Sequence, residues 1–255
     1  MEICIREIRA QTILSKSGIP GVDYCLNPYV GCGHGCRYCY ATFMKRFTGH
    51  REVWGSFVDV KINASELLKK QLKRASQGRI MLSSVTDAYQ PVEARYKLTR
   101  QCLRVLLDHQ FPVDILTKSP LVLRDMDLFQ QFDDIDVGIT ITTDDDRMRK
   151  LFAPRSPPIG ARLQTLKKLH DRGITTHVFI GPLLPMNPEA LAGKIRPYAD
   201  SFLIDKMNYI TRTSAIYRQN RLTRWLDPDF TAEVVERLRT ALGERDTTDI
   251  ERRCN

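Results

Sequence analysis

The chain has 255 residues, of which 42% are hydrophobic and 27% are charged, so it can bury a core in one large domain or two small ones. This composition excludes a chain that is disordered throughout. No stretch has the 18 or more consecutive apolar residues of a membrane span, and the charged N-terminal region lacks an apolar signal core. We therefore expect a soluble, cytoplasmic protein with no membrane partner. The excess of 39 Lys and Arg over 30 Asp and Glu, a net charge of +9, favours an acidic partner, either a nucleic acid or an anionic metabolite.

Short apolar runs rich in Ile and Val alternate along the chain with amphipathic stretches. The runs are too short for helices and predict buried parallel strands at residues 24–30, 79–83, 113–117, 136–142, 175–181 and 201–207. The amphipathic stretches predict helices at residues 64–75, 98–109, 122–132, 159–172 and 188–199. Six strands are fewer than the eight of a closed barrel. The pattern therefore predicts an α/β fold with an open, partial (β/α)6 barrel of the TIM type, followed by two C-terminal helices within residues 214–242.

The positive charge is concentrated in one segment, residues 37–79. It holds ten basic residues against three acidic ones, which accounts for +7 of the net +9. The simpler interpretation is a solvated helix face, because residues 64–75 place leucines on one side and lysines on the other. The alternative is a surface that binds phosphates.

A group of three cysteines is the strongest chemical signal. Cys32, Cys36 and Cys39 form a C-x3-C-x2-C pattern in a glycine-rich loop after the first predicted strand. Seven cysteines with three crowded together do not suggest a disulfide framework. Structural zinc needs a fourth protein ligand, for which His34 and His50 are candidates, whereas an iron-sulfur cube with three ligands leaves one iron free to bind a small molecule.

The other cysteines lack a common pattern. Cys102 lies in a predicted apolar helix, where a cysteine packs as a small hydrophobe. Cys4, Cys25 and Cys254 are not assigned a role, although Cys25 lies only seven residues before the loop.

The C-x3-C-x2-C pattern, with an aromatic residue before its last cysteine and after a first strand, resembles the radical S-adenosylmethionine (SAM) superfamily. The resemblance implies that Cys32, Cys36 and Cys39 hold a 4Fe-4S cluster and that SAM chelates the fourth iron. It also implies reductive cleavage of SAM to a 5′-deoxyadenosyl radical, with Tyr38 packing over the cluster and toward adenine. An electron donor such as flavodoxin or ferredoxin would then be a partner.

A narrower resemblance, to the spore photoproduct lyase branch, is based on four short motifs. These are CRYCY at residues 36–40, SSVTD at 83–87, LTKS at 116–119 and GITITTD at 138–144. The branch implies Thr86, Lys118 and Thr140 as SAM contacts, with Asp87 and Thr142 as weaker candidates. All five follow or end predicted strands, where βα barrels hold their ligands. The resemblance divides the chain into an N-terminal extension at 1–21, a radical SAM core with the cluster at 22–210 and a helical appendage at 211–255.

The sequence departs from this branch at Ser84. The lyase has a cysteine there, whose thiol returns a hydrogen atom to the product radical. A serine hydroxyl is a far poorer hydrogen-atom donor, which puts direct reversal of thymine dimers in doubt. Tyr40 and Tyr89 are low-ranking catalytic candidates that could stack on a base or relay a radical, and Arg155, in a proline-rich loop, could meet a carboxylate or a phosphate.

Three hypotheses of function remain open. The first is a radical enzyme that acts on a nucleic acid or a related substrate. The second is a radical enzyme that acts on a small molecule or a peptide. The third is a non-catalytic zinc or iron-sulfur module that binds nucleic acid. Neither the substrate nor the oligomeric state follows from the sequence.

Overall fold

The computed structural model describes residues 3–243, which contain two β-sheets. The larger sheet has seven strands in the order β10-β9-β8-β7-β6-β3-β2, and the smaller has three in the order β1-β5-β4. In chain order the strands are β1 Cys4–Ile8, β2 Leu14–Lys16, β3 Tyr24–Leu26, β4 Tyr29–Val30, β5 Phe57–Lys61, β6 Ile80–Leu82, β7 Val113–Thr117, β8 Ile135–Thr140, β9 Thr175–Ile180 and β10 Ser201–Ile204.

Six strands of the larger sheet are parallel and lie side by side in the order in which they occur along the chain, which is β3, β6, β7, β8, β9 and β10. The intervening strands β4 and β5 belong to the smaller sheet. Strand β2 extends the sheet beyond β3 in the antiparallel direction. Within the described residues β10 does not pair with β3, so the sheet is open. The predicted α/β fold with a partial six-stranded barrel is confirmed.

Helices follow the strands and cover the sheet. The α-helices are α1 Ala64–Leu72, α2 Glu93–Tyr96, α3 Leu98–Leu107, α4 Met126–Phe129, α5 Asp146–Phe152, α6 Ile159–His170, α7 Pro188–Ile195, α8 Ile210–Gln219 and α9 Pro228–Leu242. Four 3-10 helices occur at Tyr40–Phe47, Pro120–Asp125, Arg196–Tyr198 and Thr223–Leu226. In α6, Leu166 and Leu169 are fully buried, and burial of each stabilises the fold by about 2 kcal/mol. No helix among residues 3–243 is long and apolar enough to cross a bilayer.

The predicted strand at 24–30 is wrong in one respect, because it is two strands in different sheets. β3 pairs with β6 in the larger sheet, whereas β4 pairs with β5 in the smaller one. Asn27 and Pro28 separate them. Pro28 has no N–H to continue the ladder, and its carbonyl instead accepts from Lys61 N at 3.1 Å. The chain thus leaves the barrel sheet just before the cysteine loop.

Two helical predictions also need correction. The predicted helix at 122–132 is a 3-10 helix that begins at Pro120 and is followed by the single turn of α4, because Ser119 caps a tight N-terminus by accepting from Leu121 N. The predicted helix at 188–199 ends at Ile195, and the 3-10 turn that contains Pro197 follows it.

Both ends of the described chain pack on the central structure. β1 pairs with β5 and β2 pairs with β3, so residues before 22 belong to both sheets. Val234, Leu238 and Leu242 of α9 are part of the main hydrophobic core. The boundaries after residues 21 and 210 stay predictions. Cys254 and the end of the predicted appendage lie outside the described residues.

Candidate functional site

The cysteine loop joins β4 to the 3-10 helix Tyr40–Phe47 and is held by its backbone. Gly35 N donates to Cys32 O at 3.2 Å, and Cys39 N donates to Cys36 O at 3.1 Å. Gly31 has a φ of +86°, and a Cβ there would lie 2.4 Å from the Phe57 carbonyl oxygen, so only glycine fits. The loop therefore has a tight backbone fold that presents three thiols.

The three thiols are close enough to influence one another. Cys32 and Cys36 are buried and Cys39 is half-buried. Burial raises the pKa of Cys39 to about 11, with a further contribution from Cys36, whereas Lys118 and Trp54 act in the opposite direction. Burial, Asp87, Cys36 and Cys39 raise the pKa of Cys32 above its usual range.

At least one pair of these thiols lies farther apart than the sulfur ligands of a single zinc ion do. Among the described residues their sulfur atoms do not form a group within 4.8 Å of one another. Tetrahedral zinc with Zn–S bonds of about 2.3 Å brings its sulfur ligands to about 3.8 Å from each other. A four-iron cube, whose ligands bind different iron atoms, needs wider spacing.

Neither histidine considered as a fourth zinc ligand joins the thiols. His34 Nε2 lies 3.2 Å from Asp87 Oδ2. His50 lies between two carboxylates, with Nδ1 at 3.0 Å from Glu52 and Nε2 at 2.8 Å from Asp59. His50 is therefore engaged by carboxylates on both ring nitrogens, whereas His34 faces Asp87 only through Nε2 and its Nδ1 has no hydrogen-bond partner among residues 3–243.

Asp87 connects the cysteine loop to the ends of two strands. Its carboxylate accepts from Tyr89 N at 2.9 Å, Thr117 Oγ1 at 2.6 Å and Lys118 N at 2.9 Å, and it faces His34. Burial opposes ionisation, but His34, Lys118 and Thr117 outweigh it and hold the pKa of Asp87 below its usual range. The carboxylate that the resemblance implied as a SAM contact is thus occupied within the protein and organises the strand ends.

Thr86 is also bound to the loop. Its hydroxyl donates to Gly31 O at 2.6 Å and accepts from Gln90 Nε2 at 2.8 Å, which leaves it one acceptor lone pair. Gln90, fully buried, also donates to Gly31 O and accepts from Gly33 N at 2.8 Å. The sequence pattern gave no signal for Gln90, although it fixes the loop against the segment after β6.

The same edge of the sheet contains three further residues that the resemblance implied, at or just beyond the ends of β7 and β8. They are Lys118, Thr140 and Thr142. The Lys118 ammonium has no carboxylate within 4 Å among residues 3–243, although its charge reaches Asp87 and Cys39. Thr140 and Thr142 are both buried, and Thr140 Oγ1 has no hydrogen-bond partner within the described residues. A buried hydroxyl without a partner costs free energy, and a bound polar ligand would remove that cost.

Tyr38 is buried within the cysteine loop. Burial raises the pKa of its phenol well above 10, and the neighbouring Cys36 is a further cause. Tyr38 therefore lies beside the thiols, and its packing over a cluster and toward adenine stays a prediction.

Arg162 is a buried cation that the sequence analysis missed. Its guanidinium donates to Pro157 O at 3.0 Å, Thr140 O at 3.0 Å and Ser156 Oγ at 2.6 Å. None of these acceptors is charged, and no carboxylate pairs with Arg162 in the described part of the protein. Burial lowers its pKa, whereas nearby Tyr38 and Cys36 raise it. Because an unpaired buried charge is costly, this guanidinium suits a site that carries negative charge when loaded.

The two tyrosine candidates have different surroundings. Tyr40 is 45% exposed and follows Cys39 directly, and its hydroxyl donates to the Ser84 carbonyl. Tyr89 is fully buried, and its hydroxyl donates to Asp125 at 3.1 Å. Tyr40 thus lies next to the cysteine loop and Tyr89 in the interior, and a catalytic role for either stays a prediction.

Arg155 lies against two glycines on the outer side of the loop. A Cβ at Gly35 would lie 2.4 Å from Arg155 Nη2, and one at Gly55 would lie 2.5 Å from the same atom. These glycines, both with positive φ, allow the guanidinium to approach the backbone closely. Arg155 is exposed and therefore covers the cysteine loop from the solvent side.

Comparison with known proteins agrees with this arrangement. The family model of the radical SAM superfamily matches residues 26–193, which include the three cysteines and the strand ends around them. The chain belongs to the radical SAM superfamily.

Several proteins are similar to this chain over most of its length. An uncharacterized protein of Methanocaldococcus jannaschii is 40% identical over 210 residues, which are 81% of this chain and 79% of the relative. An uncharacterized protein of Mycobacterium tuberculosis is 30% identical over 194 residues, 72% of this chain and 57% of the relative. A radical SAM Nalpha-GlyT isomerase of Pseudomonas phage M6 is 24% identical over 160 residues, 62% of this chain and 32% of the relative.

Solved structures show the same fold. A spore photoproduct lyase variant with bound AdoMet and dinucleoside spore photoproduct superposes with a TM-score of 0.64 at 13% identity, covering 94% of this chain and 78% of the lyase. Streptococcus suis SuiB bound to S-adenosylmethionine superposes with a TM-score of 0.53 at 12% identity, covering 84% of this chain and 44% of SuiB. The resemblance to the spore photoproduct lyase fold is confirmed.

Proposed function

We propose that this protein is a radical SAM enzyme that holds a 4Fe-4S cluster on Cys32, Cys36 and Cys39 and cleaves SAM reductively. The observation that carries the proposal is the cysteine loop itself, whose three thiols influence one another and lie near Lys118 at the edge of the sheet. When bound, the cluster and SAM would supply an electron and a 5′-deoxyadenosyl radical.

The chain's own residues would bind and orient that cofactor. Lys118 offers an ammonium to the methionyl carboxylate, and Thr140 offers a buried hydroxyl without a protein partner. Tyr38 packs beside the thiols, and Arg162 adds positive charge behind the loop. Thr142 stays a weaker candidate contact, whereas Thr86 and Asp87 act mainly by fixing the loop and the strand ends.

The experiment is an anaerobic incubation of reconstituted protein with SAM and a strong reductant, followed by quantification of 5′-deoxyadenosine and methionine. We expect both products from the wild type. Lys118→Ala is expected to keep its iron but to bind SAM about 10-fold to 100-fold more weakly, because it loses one charge-assisted hydrogen bond of about 1.5–3 kcal/mol.

The matched control is Lys69→Ala, which removes an exposed lysine of α1. If Lys118→Ala bound SAM as tightly as the wild type, the alignment with the lyase branch would be wrong at the end of β7, and Lys118 would not be a SAM contact. Absence of 5′-deoxyadenosine from iron-loaded wild type would contradict the proposed reaction itself.

We propose a nucleic acid, or a related nucleotide, as the substrate. A surface beside the cysteine loop supports this. The 3-10 helix exposes Tyr40, Phe43 and Phe47, and Phe47 is 66% exposed. The Arg46 guanidinium lies over the rings of Phe43 and Phe47, at 5.5 and 4.8 Å from their centroids. Exposed aromatic rings interleaved with arginine are typical of single-stranded nucleic-acid surfaces.

Two similar proteins also support a nucleotide or nucleic-acid substrate. The lyase structure similar to this fold holds a dinucleoside spore photoproduct, and the phage relative is named as an isomerase of Nalpha-GlyT. The net charge of +9 and the basic segment 37–79 favour the same class of substrate.

Phe47→Ala is expected to weaken binding of a single-stranded oligonucleotide by about 1–3 kcal/mol, because it removes one stacking platform. Fluorescence anisotropy at a series of salt concentrations measures both the affinity and its salt slope. Val53→Ala serves as a control, since Val53 is an exposed apolar residue without an aromatic ring. Binding that is equally strong in Phe47→Ala, or no salt-dependent binding at all, would favour the small-molecule or peptide substrate instead.

A further inference from the structure

A second group of metal-binding side chains lies outside the cysteine loop, on the smaller sheet. Cys4 begins β1, and His50 and Glu52 lie in the segment that leads to β5. One donor atom from each of these three residues lies within 4.8 Å of the donor atoms of the other two. His50 and Glu52 are only two residues apart, but Cys4 lies 46 residues before His50, so the fold brings Cys4 to this pair.

His50 is fixed in an orientation that suits a metal ligand. Its side chain is fully buried and stacks on Phe57, with ring centroids 4.1 Å apart. Nε2 lies 2.8 Å from Asp59 Oδ1, while Nδ1 faces Glu52 Oε2 at 3.0 Å. A carboxylate on the far nitrogen of a histidine is the usual outer partner at metal sites, where it fixes the tautomer that leaves the other nitrogen free to bind metal. Asp59 has that position here.

The smaller sheet holds the remaining ligands close to His50. Cys4 N donates to Ser56 O at 2.9 Å and Cys4 pairs with Phe57, so β1 is anchored directly beside the His50 segment. Cys4 and Glu52 are each partly exposed, and the Glu52 side chain retains 34% of its accessible surface. A metal ion could therefore reach the group from solvent and keep one water ligand.

We propose that Cys4, His50 and Glu52 form an open zinc site, in which three protein ligands leave the fourth position to water and Asp59 is the outer partner of His50. Thiolate, imidazole and carboxylate are the zinc ligands found in proteins, whereas magnesium and calcium prefer oxygen ligands only. The N···O distance of 3.0 Å is about 0.4 Å shorter than tetrahedral zinc requires, so a small rotation of Glu52 accommodates the ion.

The site would stabilise the cysteine loop from behind. Zinc would join β1 to the segment that also contains Trp54 and Gly55. Gly55 contacts Gly35 of the loop, since a Cβ on Gly55 would lie 2.6 Å from the Gly35 Cα. Trp54 is a neighbour of Cys39. The inference does not depend on the proposed radical reaction, because this group shares no residue with the cysteine loop.

The test is metal analysis of the cluster-loaded protein after removal of loosely bound metal with a chelator, followed by titration with zinc alone. We expect one zinc per chain in addition to iron. Cys4→Ser and Glu52→Gln are each expected to lower zinc affinity by more than 10-fold with iron content unchanged, and Asp59→Asn by about 10-fold to 100-fold. Glu66→Gln, an exposed carboxylate of α1, is the control.

Cobalt in place of zinc provides a second readout. A thiolate-to-cobalt charge-transfer band is expected in the wild type and in a variant with Cys32, Cys36 and Cys39 all replaced by alanine, but not in Cys4→Ser. Circular dichroism shows that each variant is folded, and Cys4 and Glu52 are exposed enough for two independent substitutions. The proposal is wrong if the wild type binds no zinc, if folded Cys4→Ser and Glu52→Gln both bind zinc normally, or if the band depends on the loop cysteines.

Discussion

Replacement of any one of Cys32, Cys36 and Cys39 by alanine is expected to abolish cluster binding. The wild type should hold about four iron atoms per chain after anaerobic reconstitution, and each variant close to none. The physical reason is that each variant removes one of the three thiols that the loop supplies to one centre, while His50 is engaged by Glu52 and Asp59. Formation of 5′-deoxyadenosine should fall to background in the same variants, and iron and sulfide analysis with visible absorbance measures the loss.

The control for this experiment is Cys102→Ala. Cys102 is fully buried in α3 within the main hydrophobic core, so its loss should lower the free energy of unfolding but leave the iron content unchanged. Thermal denaturation separates the two effects. If a folded Cys102→Ala variant lost as much iron as the three loop variants, the assignment of the cluster to the loop cysteines would be wrong.

The barrel could be predicted because its strands are buried on both faces. Runs such as Val113–Thr117 and Thr175–Ile180 are apolar and β-branched, and helices with an apolar face separate them. The smaller sheet was not predicted. β1 has the sequence CIREI and is largely exposed, and β4 has only two residues. Neither strand therefore has a hydrophobic periodicity that distinguishes its sequence from that of a loop.

The candidate site was partly predictable for a different reason. Cysteine spacing and strand-end residues are local signals, and the structure brings Tyr38, Lys118 and Thr140 to the edge where the cysteine loop lies. Arg162 and Gln90 gave no such signal, because a polar residue on a helix or after a strand usually faces solvent. Their burial depends on tertiary contacts with residues far away in the chain. The proposed zinc site could not be predicted for the same reason, because it brings Cys4 together with His50 and Glu52 through tertiary contacts.

Wild-type protein is expected not to repair a spore-photoproduct dinucleotide above background. The expectation follows from bond strength, because a thiol readily gives a hydrogen atom to a carbon radical and an alcohol does not. The resemblance to the lyase branch assigns Ser84 to the position of the lyase thiol, and the Ser84 hydroxyl accepts a hydrogen bond from Asn27 Nδ2 at 3.3 Å. Its carbonyl accepts from Tyr40, so this residue lies beside the cysteine loop.

Ser84→Cys is therefore the variant in which repair should appear, if this chain binds the dinucleotide as the lyase does. Product formation under anaerobic conditions, measured by chromatography over multiple turnovers, provides the readout, with Ser84→Ala and Ser83→Cys as matched controls. Ser83 has a buried side chain and a φ of +68°, so a thiol there occupies a different position. Repair by the wild type would show that another group donates the hydrogen atom, and Cys25 and Tyr89 would then be the residues to replace. Repair by Ser84→Cys alone would establish both the alignment with the lyase and the role of the missing thiol. It would also indicate that the natural reaction of the wild-type protein either keeps the product of hydrogen abstraction or takes its hydrogen atom from a group other than Ser84.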